Sequence, residues 1–394
     1  MAAKKRLYDI VLFGATGFTG GLTAEYLAAH GGAKLRWALA GRNPQKLEAV
    51  RQRLAEINPG CAQLPLLSAE VDDSDSLQRV AESAKVVITT VGPYIRYGEP
   101  LLAACAAAGT DYVDLTGEPE FVDRMWLAYH EQARKTGARI VNSCGFDSIP
   151  HDLGVYFTVQ QLPEESPIRI EAFVRAGGQF SGGTLHSAVA AFSRVRQTLD
   201  AKAQRRRREQ FPLDRRIGSL RPRVRFHETL GTWVLPMPTI DPQVVRRSAV
   251  GLERYGPDFR YGHYLQVREF SGVAKLVGGV AAIVAGAQIP FTRKKLLALR
   301  HPGEGPSEEQ RARGWFRVTF LGRSGQHRVR CEVAGGDPGY GETSKMLAES
   351  ALCLAFDKLP RSAGVVTPAI AMGDSLIRRL QKAGMQFRVV ESTE

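Results

Sequence analysis

Cysteine is scarce in this chain: there are 5 in 394 residues. Cys61, Cys105, Cys144, Cys331 and Cys353 are odd in number, and no two have CxxC-like spacing. This argues against a disulfide framework and a cysteine-based zinc site, and predicts a reducing, cytoplasmic compartment. No signal-peptide pattern is visible, since the apolar run Ile10–Phe13 stops at Gly14 without a cleavage site behind it. Long apolar runs are lacking too. Leu276 to Phe291 is uncharged for 16 residues and carries Gly278, Gly279 and Gly286, whereas a spanning helix needs about 20. Negative charge is in deficit, with 40 Asp+Glu against 53 Lys+Arg and a net +13. Such a balance suits nucleic acid, an anionic membrane surface, or an anionic substrate or cofactor. The other proportions, 44% hydrophobic and 24% charged, are those of an ordinary globular protein. At roughly 100–200 residues per domain, the length predicts two to three domains.

The first 150 residues alternate short apolar runs with helical patterns. Strands are expected at Leu7–Phe13, Leu35–Ala40, Leu64–Val71, Val86–Val91, Tyr112–Leu115 and Arg139–Asn142. Helices are expected between them at Thr19–Ala29, Pro44–Ile57, Ser74–Ser83 (capped by Ser74), Glu99–Ala108 and Val122–Lys135. This rhythm predicts an α/β fold, a doubly wound parallel sheet with helices on both faces. It breaks near Asp152. The expected organisation is a Rossmann domain over 1–152, a second α/β domain over 153–340, and C-terminal helices over 341–394 packing back on the first. In the second domain, Gly177–Gly183 reads as a loop, Thr184–Arg206 as a helix, and Trp315–Gly322 with His327–Ala334 as a hairpin able to extend a sheet across a homodimer.

The strongest motif is Gly14-Ala15-Thr16-Gly17-Phe18-Thr19-Gly20, between the first strand and the first helix. Gly14 permits the tight turn, Gly17 lets backbone approach a pyrophosphate, and Gly20 lets the helix pack closely on the sheet. The helix start then offers N–H groups and partial positive charge to phosphate. An NAD site places Asp or Glu at the end of the second strand. That acid is lacking; Gly41-Arg42 stands there, with Lys46 a turn further on. A guanidinium pairs bidentately with a 2′-phosphate, so the cofactor expected is NADP(H). Asp72 is placed to meet the adenine edge or to cap a helix. Val91, Gly92, Pro93 and Tyr94 follow the fourth strand and are expected beside the nicotinamide ribose, with Tyr94 and Tyr97 near the substrate.

None of the 11 tyrosines has Lys four residues later. This disfavours the short-chain dehydrogenase mechanism. Two further segments fall at strand ends: Asp114-Leu-Thr116-Gly117-Glu118 and Cys144-Gly-Phe-Asp147-Ser148-Ile-Pro150-His151-Asp152. The second reads either as a proton-transfer cluster or as a helix start. Together with the glycine loop, Ala40-Gly41-Arg42, Val91–Tyr94, Tyr112–Glu118 and Thr367-Pro-Ala-Ile-Ala-Met-Gly373-Asp374, these segments resemble the saccharopine dehydrogenase-like oxidoreductases, and in particular the trans-acting enoyl reductase branch. The resemblance implies a Rossmann domain, a second α/β domain and a C-terminal helix returning to the first. It also implies reduction of an enoyl group on a lipid-like or acyl-thioester substrate in lipid or glycolipid metabolism. Tyr94, Tyr97, Ser148 and His151 are the candidate proton donors. Alternatives are a carbonyl or imine reductase and a non-catalytic NADP(H) sensor.

Charge patterning narrows the partners. Arg194 to Arg225 holds 12 Lys/Arg and 3 Asp/Glu, centred on Arg205–Arg208. Stacking aromatics are few there, which makes nucleic acid an unsuitable partner. An anionic lipid surface fits better, each basic residue near it contributing about 1 kcal/mol. The apolar 276–291 run, followed by Arg293, Lys294 and Lys295, suits a segment lying in the membrane interface, or a lid over an apolar pocket.

Overall fold

The computed structural model describes residues 6–177, 193–288, 291–292 and 305–393. The expected loop Gly177–Gly183 beyond its first residue, the expected helix before residue 193, and Arg293–Lys295 lie outside the described residues. The chain forms two compact units: 1–145 with 340–379, and 146–339 with 380–394. The division after Gly145, rather than at 152, leaves the Ile149–Val159 helix whole. The C-terminal region is shared between the units. The Gly341–Phe356 helix belongs to the first, while the final strand Gln386–Thr393 joins the second.

The first unit is built on strands β1 (Tyr8–Phe13), β2 (Trp37–Gly41), β3 (Leu66–Ser68), β4 (Ala84–Thr89), β5 (Asp111–Val113) and β6 (Arg139–Val141). Their order is 6-5-4-1-2-3, with a seventh strand, Gly364–Val366, beside β6. Every pairing is parallel. Ile10, Val11 and Leu12 of β1 and Val86, Val87 and Ile88 of β4 are fully buried, the continuous apolar pattern of a strand covered on both faces. β1 and β4 are neighbours, yet the chain leaves β1 toward β2. The order therefore reverses here, and ligands in such sheets bind outside the carboxyl ends at that reversal.

The second unit carries a mixed sheet ordered Gln386–Thr393, His327–Gly335, Trp315–Ser324, Ile168–Gly177, Asp258–Val267, Thr232–Pro236, Arg225–His227, with Arg216–Ser219 also paired to Asp258–Val267. The expected 315–334 hairpin forms, but it sits inside the sheet. Trp315–Ser324 pairs with Ile168–Gly177, and His327–Gly335 pairs with the C-terminal strand. Its hydrogen-bonding edges are used within the chain, so it presents no free edge for a second copy.

Candidate functional site

The glycine loop leaves β1 where the sheet order reverses. Gly14 has a φ of 97°, and a Cβ there would lie 2.7 Å from Thr90 Oγ1 and 2.8 Å from Val91 Cγ2. At Gly20 a Cβ would fall 2.1 Å from the Gly14 carbonyl oxygen. Both glycines are therefore demanded by close approach of backbone to backbone and to the Thr90–Val91 segment. Gly17 is different. It is exposed, and a Cβ there would meet only the Gly14 carbonyl, at 3.5 Å. It caps the Phe18–His30 helix with no side-chain hydrogen bond, and no acidic residue lies in the first turn. An open, uncapped helix start free of negative charge is what a dinucleotide pyrophosphate requires. Ala15 is buried, Thr16 is exposed, and Thr19 is half-buried. The loop thus fits the cofactor on geometry as well as on spacing.

The end of β2 fits the same ligand. Gly41 is buried, and Arg42 is exposed with no ion pair or hydrogen bond among the described residues. Asn43 caps the Pro44–Ile57 helix by accepting from the Lys46 N–H at 2.8 Å, which leaves the exposed Lys46 ammonium at the same end. Two cations without structural partners among the described residues suit a 2′-phosphate. After β3, Asp73 rather than Ser74 is the helix cap, accepting from the Asp75 and Ser76 N–H groups. A carboxylate captures two amides where the shorter Ser74 hydroxyl is already inside the helix. Asp72 is exposed and takes no part in this cap.

Beyond β4, the Thr90 hydroxyl donates to the Gly14 carbonyl at 3.1 Å, tying the two strand ends together. Val91 and Pro93 are half-buried and Gly92 is exposed. Tyr94 is not a free acid. Its side chain is buried, and its hydroxyl donates to the Thr89 carbonyl at 3.1 Å. Burial and the nearby Asp114 and Glu118 carboxylates hold its pKa well above the usual phenol value. Tyr97, one turn on, is 42% exposed. The turn is held from below by Glu118, whose carboxylate accepts from the Tyr94 and Ile95 N–H groups at 3.0 and 2.8 Å. Asp114 does the same for the loops after β5 and β6, accepting from the Ser143 and Thr116 N–H groups, Asn142 Nδ2 and the Tyr112 hydroxyl. Burial, only partly offset by these donors, raises its pKa to about 6.

The second unit holds a separate buried polar cluster. Ser148 and His151 are enclosed at 0% and 1% exposure, and Asp241 and His263 at 1% and 5%. His151 Nδ1 lies 2.9 Å from Asp241 Oδ1, and His263 Nε2 lies 3.5 Å from Asp241 Oδ2. Thr239 Oγ1 donates to Asp241 Oδ2 at 2.5 Å, and the Tyr261 hydroxyl meets His263 Nδ1 at 2.9 Å. Burial pulls the His151 pKa down, but the Asp241 carboxylate more than compensates and raises it. His263 goes the other way, to about 3, because burial outweighs Asp241. Asp147 is pushed up to about 7 by burial and by Asp241. Sequence reading missed Asp241 and His263. The first sits in Ile240-Asp-Pro, which reads as a helix start, and the second in an alternating strand. Neither signal is local, because the cluster assembles from three elements distant in sequence.

The Arg205–Arg208 run divides. Arg205 is buried and pairs with Glu209 at 3.2 Å, and Arg247 pairs with the same carboxylate. Arg206, Arg207 and Arg208 are exposed. The run therefore presents three cations to solvent rather than four, because the helical repeat turns Arg205 inward beside Glu209, one turn away.

Residues 10–141 match the family described as the saccharopine dehydrogenase NADP binding domain. A trans-acting enoyl reductase of Mycobacterium bovis is 38% identical over 98% of this chain and 98% of its own length. One from Mycobacterium ulcerans is likewise 38% identical, with the same coverage. A Mycobacterium tuberculosis protein, whose name gives that activity provisionally, is 41% identical over 98% of this chain and 99% of its own. The structure of an apo saccharopine dehydrogenase (L-Glu forming) from Saccharomyces cerevisiae superposes with a TM-score of 0.54 at 11% identity, covering 98% of this chain and 100% of the yeast chain. That last likeness establishes the fold. With the phosphate loop and the Arg42 end of β2, these matches lead to one conclusion: the chain is an NADP-dependent oxidoreductase of the saccharopine dehydrogenase-like family, in the branch of the trans-acting enoyl reductases.

Proposed function

We propose that the protein reduces the C=C bond of an α,β-unsaturated acyl group carried on a lipid-like or thioester-linked chain. The observation that carries this reading is 38–41% identity, sustained over 98% of the chain, to relatives named for enoyl reduction. NADPH supplies the hydride when bound. The protein's own share is to hold the dinucleotide on the Gly14–Gly20 loop, to select its 2′-phosphate with Arg42 and Lys46, and to provide a proton for the α-carbon. Negative charge grows on the acyl oxygen as hydride arrives, so a donor aimed there lowers the barrier. Of the four candidate proton donors, Tyr97 is the best supported. It alone is exposed, and it follows β4 on the ligand side of the sheet. Tyr94 is spoken for by Thr89, and Ser148 and His151 are enclosed. Tyr97→Phe is expected to lower kcat about 10²-fold, as loss of a general acid does, while NADPH affinity stays unchanged. Equal kcat in the variant would remove Tyr97 from the reaction.

We further propose that catalysis takes place on an anionic membrane in the cytoplasm, as lipid and glycolipid metabolism would demand. The Phe270–Gln288 helix supports this. Its Phe270–Ala287 window has a mean hydropathy of 1.7, with only 13% of it buried. Phe270, Leu276 and Val277 are exposed. At about 1.5 Å per residue its 19 residues measure roughly 28 Å, and an apolar helix left largely uncovered by the described residues suits another apolar phase. The exposed Arg206–Arg208 add attraction to anionic headgroups. Flotation with phosphatidylglycerol vesicles tests it. Leu276→Glu with Val277→Glu should abolish binding, and Arg206–Arg208→Gln should weaken it and remove its salt dependence. Binding unaltered in both would refute a membrane role for these segments.

A further inference from the structure

The His151–Asp241–His263 cluster has no part in the reduction proposed above. In it a carboxylate enclosed at 1% exposure sits between two imidazoles. Outside the Thr239 and Tyr261 hydrogen bonds, the cluster is poorly paired: His151 Nδ1 lies 2.9 Å from Asp241 Oδ1 without hydrogen-bond geometry, and the buried His263 Nε2 has no hydrogen-bond partner among the described residues. Buried polar atoms left without partners destabilise a fold unless something else satisfies them. Atoms that approach one another without pointing at one another are what results when their lone pairs converge on a common centre.

We propose that His151, Asp241 and His263 bind a divalent first-row transition metal ion. Two imidazole nitrogens and one carboxylate oxygen form a borderline-soft donor set suited to Zn²⁺, Co²⁺ or Fe²⁺ and ill suited to Mg²⁺ or Ca²⁺. One donor atom from each residue lies within 4.8 Å of the others. Metal–ligand bonds of about 2.0–2.1 Å place tetrahedral donor pairs roughly 3.3 Å apart. The His151 Nδ1–Asp241 Oδ1 pair, at 2.9 Å, is close to that spacing, His263 Nε2 lies 3.5 Å from the other oxygen of the same carboxylate, and side-chain rotations close the rest. The surroundings are those of a metal centre as well. The Tyr261 hydroxyl engages His263 Nδ1 and turns Nε2 toward Asp241, and Thr239 holds the second Asp241 oxygen. Outer partners of this kind fix the orientation of ligands. The three ligands come from the Ile149–Val159 helix, the Asp241–Gly251 helix and the Asp258–Val267 strand. The ion would therefore pin three elements of the second unit together.

Because the ligands are enclosed, the metal must be offered while the chain folds. Full-length protein is produced in minimal medium supplemented with Co²⁺, and separately with Zn²⁺, then desalted against a chelator. The expected result is about one ion per chain and visible ligand-field absorption in the Co²⁺ protein. Asp241→Asn and His263→Gln should lower metal content at least about tenfold, as loss of a ligand does. Wild-type protein that is folded and binds NADPH but carries no stoichiometric metal and no ligand-field bands would overturn the proposal. So would metal retained undiminished in both variants. The wild-type spectrum alone decides the matter if the variants fail to fold.

Discussion

Arg42 is the residue on which we propose that cofactor choice turns. It is exposed, carries no structural load and stands where an NAD enzyme has an acid. Arg42→Ala should therefore weaken NADPH binding by about 10- to 100-fold, the 1.5–3 kcal/mol of a charged hydrogen-bonded contact, and leave NADH binding and thermal stability nearly unchanged. Fluorescence titration with both nucleotides checks this, and an equal loss for both would contradict it. Gly20→Ala acts through packing instead. The new methyl would sit 2.1 Å from the Gly14 carbonyl, so helix and loop must separate. We expect it to yield insoluble protein, or soluble protein without measurable NADPH affinity. Such residues were legible in sequence because the phosphate loop is local: spacing alone carries its geometry. Tyr94 shows the opposite. Its position beside the ligand edge was readable, but only the fold reveals that its hydroxyl turns back to Thr89.

The central strands are fastened by one carboxylate. Asp9 opens β1 and accepts from the Arg36 backbone N–H at 3.1 Å and from Arg36 Nη2 at 2.9 Å, with Lys85 of β4 at 2.8 Å. Burial would raise its pKa, but the Arg36 and Lys85 hydrogen bonds prevail and lower it. Its stabilising contribution is thus present above the ordinary carboxyl value of 3.8 and lost as pH falls through the lower folded value. Arg36 and Lys85 are about half exposed, so solvent screens both pairs. Asp9→Asn should cost about 1–2 kcal/mol at neutral pH and flatten the acid limb of the stability curve. Chemical denaturation across pH 2.5–7 would show it (about the span over which such a carboxyl titrates), and parallel curves for the two proteins would contradict it. The parallel strands were readable from their apolar runs to within a few residues. Less readable were the second unit's strands Thr232–Pro236 and Asp258–Val267, which mix aromatic, polar and glycine positions because much of their burial is set by neighbours distant in sequence.

Taken whole, the molecule is discontinuous in sequence: each compact unit is completed by a C-terminal segment that returns to it. The return of the Gly341–Phe356 helix to the first unit was legible through family resemblance. The addition of Gln386–Thr393 to the second sheet was not, since eight mostly exposed residues carry little apolar pattern. The net charge of +13 also resolves differently once folded. Arg205, Arg215 and Arg225 are spent on Glu209, on backbone carbonyls and on Glu171, leaving a smaller exposed set for any anionic surface. The reaction proposed for this protein is reduction of an enoyl bond with NADPH. The most direct measurement presents NADPH deuterated at either face of C4 together with an α,β-unsaturated acyl thioester, and reads the product by mass spectrometry. Enoyl reduction predicts a saturated product with one deuterium on the β-carbon from one of the two labelled cofactors. An untouched C=C bond with deuterium delivered to a carbonyl or imine carbon instead, or no transfer to any unsaturated acyl chain, would contradict it.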